Sequence, residues 1–200
     1  MKFLRIPLLL FVLPAGLAWS ITVSPGFLLY ERTAMLHGEW WRLWTGHWVH
    51  FSASHLAWNL AVLLGAGAWL ARRHQGVFLT YTLLGAPLVS LTLLLGEPAM
   101  QTYGGLSGLA TGVVVLLALT GLGRHGADRA WWWAMLILVA AKIAFDATQT
   151  STLFAGFATQ AVRASVLAHA AGAVAALALF FIQPIHPRLS PDRPSPIHTP

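Results

Sequence analysis

The sequence predicts an all-α, polytopic membrane protein: a six-helix bundle with both termini in the cytoplasm. Three observations carry that prediction. Of the 200 residues, 57% are hydrophobic and 9% are charged, where a soluble domain carries about 25% charged residues. Six apolar stretches follow one another, each about long enough to cross a bilayer. They are too long and too continuous for barrel strands, and in a bilayer the alternative that satisfies every backbone polar group is the helix. Finally, the basic residues fall mostly in alternate loops. One set holds Lys2 and Arg5, Arg72 and Arg73, Arg124 and Arg129, then Arg188 and Arg193. The other holds Arg32, Arg42 and Arg163, with Glu31, Glu39 and Glu97 beside them. The positive-inside rule then starts the second, fourth and sixth spans on the outer face.

The first span is read over about 4–23. Lys2 and Arg5 before it and small residues near its end also fit a signal peptide, but with more spans following, an uncleaved first span is the natural reading. The connection over 24–50 carries Trp40, Trp41, Trp44 and Trp48. Tryptophan prefers the membrane interface, so this connection is expected on or in the outer leaflet. It is long for a compact domain, and such loops are usually functional. The remaining spans are read over about 51–71, 77–95, 105–122, 130–147 and 164–182. Together they make one membrane domain, 1–183. The tail, 184–200, is rich in Pro, Ser and His and is expected to be disordered.

The chain has no cysteine, which excludes disulfides, thiolate chemistry and cysteine–zinc sites. The net charge of +6 is explained by loop topology, so no nucleic-acid partner is expected; the partner is the lipid bilayer.

Ionisable and polar groups inside a membrane are functional candidates by default. His55 and Asn59 share one face of the second span. Ser107 opens the fourth, inside the glycine-dense run Tyr103-Gly104-Gly105-Leu106-Ser107-Gly108, and His169 lies in the sixth. Each sits about two to eight residues inside the outer end of its span, so all four fall in roughly the outer third of the bilayer. A serine hydroxyl needs a neighbouring base to act as a nucleophile, and a neutral imidazole suits that task. Asn59, His55 and the backbone N–H of Ser107 are candidate oxyanion donors. Gly105, Gly108, Gly112 and Gly172 permit close helix approach. Blander readings stand beside these. Serine next to glycine in a membrane helix is more often packing. A lone membrane histidine is often a satisfied donor or, in pairs, a haem ligand. His47, His50 and His55 suggest a metal, yet there is no HExxH pattern and no acidic residue near them on the helix. Lys142 and Asp146, four apart, read as a structural ion pair.

These residues resemble the rhomboid family of intramembrane serine proteases, over nearly the whole chain. The likeness rests on Gly38-Glu39-Trp40-Trp41-Arg42, the His50…His55…Asn59 run, Gly105-Leu106-Ser107-Gly108 and Ala168-His169-Ala170-Ala171-Gly172. It implies Ser107 as nucleophile, His169 as general base, His55 and Asn59 in the oxyanion hole, and Trp41-Arg42 as a motif of the first loop. It also implies that the fourth span starts deep in a water-filled cavity. A narrower resemblance is to the bacterial rhombosortases, carried by the short length, the Tyr103…Gly108 run and the Lys142…Asp146 segment. That implies secreted substrates anchored by a C-terminal tail of glycine-rich motif, hydrophobic helix and basic residues, cleaved at the periplasmic side of the inner membrane. Thr111 stands where many rhomboids carry an aromatic residue that stacks on the histidine, and Ala168 where many are more polar. The expectation is therefore a Ser107–His169 pair without an acid, needing no metal or cofactor. The rivals are a catalytically inactive, client-binding rhomboid-like protein and a haem-binding or proton-coupled membrane protein using His55 and His169.

Overall fold

The computed structural model describes residues 2–20, 25–123, 128–148 and 165–183. The expected disordered tail, most of the polar connection between the last two spans and part of the loop holding Arg124 lie outside them. Eight helices and two short strands form the described fold. Helix α1 is Leu4–Ser20, with a π turn at Leu8–Val12. The first connection holds strand β1 (Tyr30–Glu31), α2 (Arg32–Leu36) and α3 (Arg42–Thr45). Next come α4 (Ala53–Arg73), α5 (Gln75–Gly96), strand β2 (Thr102–Tyr103), α6 (Ser107–Leu122), α7 (Arg129–Thr148) and α8 (Val166–Ile182).

Helices α4, α5 and α7 are long and apolar enough to cross a membrane; α1, α6 and α8 are apolar but have 17 residues or fewer. Of the six spans read from sequence, three coincide with helices long enough to cross a membrane and three with shorter apolar helices, among the described residues. For α6 the reason is local. Gly105 has φ +127°, a left-handed conformation that favours glycine and cannot continue a right-handed helix. The helix begins at Ser107 rather than 105, and its 16 residues reach about 24 Å.

Helix α6 is apolar on every face, and a helix of that kind belongs in a core. Leu109, Val113, Leu116 and Ala118 are buried on it. In contrast α7 exposes Trp131, Trp133, Ile137 and Leu138, and the two residues it buries are Trp132 and Asp146. Trp132 packs on Gly121 near the end of α6 and edge-on to Trp69 near the end of α4, at 5.5 Å between ring centroids. Thus α4 and α6 run parallel and α7 antiparallel to them, with Arg72, Arg73 and Arg129 at one end of the bundle. Ser165 caps α8 through Ala168 N–H (3.1 Å) and donates to Glu97 just past α5 (3.2 Å). At the other end of the same pair, Gln183 donates to Thr80 (3.1 Å).

The first connection is an ordered cap on the opposite end of the bundle. Tyr30 and Glu31 pair antiparallel with Tyr103 and Thr102, which ties it to the segment leading into Ser107. Arg42, buried, pairs with Glu39 (2.6 Å) and donates to the carbonyls of Gly26 and Leu29. Trp41 donates to the Phe27 carbonyl (3.1 Å) and Thr45 to that of Leu28 (2.7 Å). The consecutive carbonyls of 26–29 are thereby all paired. Trp44 fastens the cap to α5 through the Leu83 carbonyl (3.0 Å).

Candidate active site

The glycine step sets the geometry. A Cβ at Gly108 would lie 2.8 Å from the Ala168 carbonyl oxygen, and one at Gly172 would strike the Gly108 carbonyl. A Cβ at Gly112 would meet the Tyr81 hydroxyl and the Gly172 carbonyl. Helices α6 and α8 therefore cross backbone to backbone, as small residues allow. Ser107 and His169 stand immediately beside that crossing, each next to a residue in contact. Tyr81, on α5, donates to the Gly172 carbonyl at 3.1 Å and locks the crossing from a third helix.

Gly105 brings in α4. A Cβ there would sit 2.6 Å from His55 Cε1, 2.8 Å from its Nε2 and 3.7 Å from Asn59 Nδ2. His55 and Asn59, both buried and one turn apart, thus press on the backbone two residues before Ser107. His55 is also an electrostatic neighbour of His169. Asn59 Nδ2 lies 3.1 Å from His50 Nε2, while His50 Nδ1 lies 3.0 Å from the Trp48 carbonyl. That carbonyl is an acceptor, so it fixes the proton on Nδ1 and leaves Nε2 to accept from the amide. Burial pushes the His50 pKa down to about 3, which keeps this ring neutral and able to accept. One amide hydrogen of Asn59 is left for another acceptor.

Ser107 is the first residue of α6, and Leu106 before it supplies no side-chain cap. The N–H groups of a first helical turn have no partner within the helix, and they carry the positive end of its dipole. The Thr111 hydroxyl donates to the Ser107 carbonyl at 2.8 Å, so it is engaged within its own helix. The Tyr103 hydroxyl donates to the Gly105 carbonyl at 3.1 Å and lies beside the Ser107 hydroxyl and Gly108 N–H. Burial raises its pKa to about 12, so it remains a donor.

His169 is not left with the serine side alone. Its Nδ1 lies 3.0 Å from Asp146 Oδ2 and 3.2 Å from Lys142 Nζ, and Lys142 also pairs with that same Oδ2. The Lys142–Asp146 pair read from sequence is present, and His169 joins it. Asp146 lies one helical turn after Lys142 and near the same end of α7 as the glycine crossing, so its carboxylate reaches both partners. Its depth in the fifth span was the signal that could have found it. Tyr103 and His50 gave no such signal, because loop residues have no readable depth.

A serine–histidine hydrogen bond lies elsewhere in the fold: Ser90 Oγ is 3.1 Å from His47 Nε2. Ser90 is fully buried and donates to the Leu43 carbonyl at 3.0 Å, and His47 also faces the carbonyls of Ala86 (3.0 Å) and Gly105 (3.3 Å). This pair joins the first connection to α5 and the glycine step.

Residues 37–184 match the family model described as the Rhomboid domain. No curated protein matches the chain.

Proposed function

We infer that this chain, which belongs to the rhomboid family, is an intramembrane serine endopeptidase with Ser107 as nucleophile and His169 as general base. One observation carries the reading: Gly108 on α6 meets the Ala168 carbonyl and Gly172 on α8 backbone to backbone, and the residues next to Gly108 and Ala168 are a serine and a histidine. As Ser107 Oγ bonds to the scissile carbonyl carbon, His169 takes the hydroxyl proton. His55, Asn59 and the first-turn N–H of Ser107 receive the oxyanion. The C–N bond breaks, His169 passes its proton to the leaving amine, and an acyl ester remains on Ser107. Water then attacks the ester and gives its proton to His169, which returns it to Ser107 as the carboxylic product departs. The chemistry calls for no metal or cofactor. The substrate unwinds near its outer end, because a helical peptide bond is shielded from attack.

The likeness of the Tyr103…Gly108 run and the Lys142…Asp146 segment to rhombosortases favours secreted substrates with a glycine-rich C-terminal anchor. The domain comprises 1–183 with six crossings, α1, α6 and α8 being the short ones. Arg72, Arg73 and Arg129 stand at the end of the bundle away from Ser107, which by the positive-inside rule turns the site toward the periplasm of a bacterial inner membrane. Cleavage of a membrane-anchored reporter carrying such a tail tests this reading. Processing is expected with the unaltered protein and not with Ser107→Ala; equal processing by both contradicts it and favours an inactive, client-binding relative.

A further inference from the structure

Helix α7 turns an apolar, exposed surface outward for most of its length, yet it buries one carboxylate. Asp146 and His169 side chains are each 2% exposed and meet at 3.0 Å. Burying an ion is costly unless it is paired, and this one is paired on two sides. The other oxygen, Oδ1, is buried without a hydrogen-bond partner among the described residues. The bonding of this carboxylate is therefore directed at Lys142 and His169.

The contact decides where the histidine keeps its proton. A carboxylate oxygen accepts and does not donate. Facing a bare Nδ1 lone pair at 3.0 Å it would be repelled; facing Nδ1–H it accepts. Lys142 Nζ, 3.2 Å from the same ring nitrogen, carries three donors, one of them on Asp146; the carboxylate, at 3.0 Å, is the nearer group to Nδ1 and the one that sets its proton. The three groups thus share one oxygen, with both donors aimed at it. With Nδ1 protonated, the lone pair is on Nε2, the nitrogen left to take a proton from a hydroxyl.

We propose that Asp146 is a positioning residue for His169: it holds the Nδ1–H tautomer and steadies the imidazolium formed during proton transfer, while Lys142 keeps the carboxylate charged. This rests on the reading of Ser107 and His169 as nucleophile and base. The Thr111 hydroxyl, bonded to its own helix, provides no such support.

The test uses full-length protein in micelles, labelled with 15N-histidine, with the His169 signals assigned by their loss in His169→Gln. The unaltered protein is expected to show a protonated Nδ1 and a bare Nε2. In Asp146→Asn the tautomer shifts toward Nε2–H and kcat falls, by up to the about 10⁴-fold known for such a tautomer error, with KM little changed. Asp146→Glu, which restores an acceptor, recovers part of the loss. A proton on Nε2 in the unaltered protein overturns the proposal even if Asp146→Asn does not fold, and so does wild-type kcat in a folded Asp146→Asn. Failure of the underlying protease reading looks different: Ser107 is then inert to a fluorophosphonate in the unaltered protein, whatever the His169 tautomer.

Discussion

Asp146 Oδ2 lies 3.0 Å from His169 Nδ1, across the boundary between α7 and α8. Helix α7 is thereby attached to the bundle at both ends by different means: Trp132 on Gly121 at one, and an ion pair shared with an imidazole at the other. The apolar surface between them faces outward, as suits a helix whose solvent is lipid.

The glycine crossing tolerates no side chain. Gly172→Ala places a methyl against the Gly108 carbonyl, and overpacking of this kind costs about 1–3 kcal/mol. Reporter cleavage is expected to fall by at least about tenfold, because each 1.4 kcal/mol of misplacement is a factor of about ten. Gly16→Ala is the control: nothing lies within 4 Å of the added carbon. Thermal unfolding in detergent should show a lower Tm for the first and an unchanged or higher one for the second.

The proposed oxyanion donors should act on turnover more than on binding. Asn59→Ala removes the amide that lies 3.1 Å from His50 and 3.7 Å from the Gly105 Cβ position. Loss of one such donor lowers kcat by about 10²- to 10³-fold. Steady-state kinetics on a tailed reporter should put the loss in kcat, with KM within a few-fold.

Arg42 should not be replaceable by lysine. It spreads its donors over Glu39 and the carbonyls of Gly26 and Leu29, and a single ammonium lacks that fork. An acceptor left unmet here costs at most about 1–3 kcal/mol, because Gly26 is exposed and Leu29 half-buried. Arg42→Lys is expected to lower Tm and to speed proteolytic cleavage within the first connection.

His50 should stay out of the pH profile. Its pKa is held down at about 3 by burial, with His55 adding to the effect. The folded state binds its proton more weakly than the unfolded chain does. Its contribution to stability is therefore present above the ordinary histidine range and is lost as pH falls through that range. Activity between about pH 7 and 9 should be flat with respect to this group, and Tm should fall as pH drops from about 7 toward 4. In His50→Gln the part of that acid-side slope due to this residue should vanish.

Much of this was legible in the sequence because membrane helices convert residue number into depth. Ser107, His55, Asn59 and His169 could be set at one level by counting, and the glycines told which helices approach closely. The same count puts Asp146 one residue inside its span, at the edge of that level, and its i,i+4 lysine offered a complete local explanation that hid the contact with α8. The late start of α6 depended on the backbone of Gly105, which no hydropathy pattern reports. The role of Arg42 depended on carbonyls in 26–29, and backbone acceptors carry no side-chain signature. Tyr103 and His50 take their places from loop geometry, where sequence spacing says little about distance.

The most direct measurement is the site of covalent labelling by a fluorophosphonate probe, read by mass spectrometry on protein in detergent. One adduct is expected, on Ser107, absent in Ser107→Ala, strongly reduced in His169→Ala and retained in Ser90→Ala. Label on Ser90, or label on Ser107 that persists at full rate in His169→Ala, would contradict it.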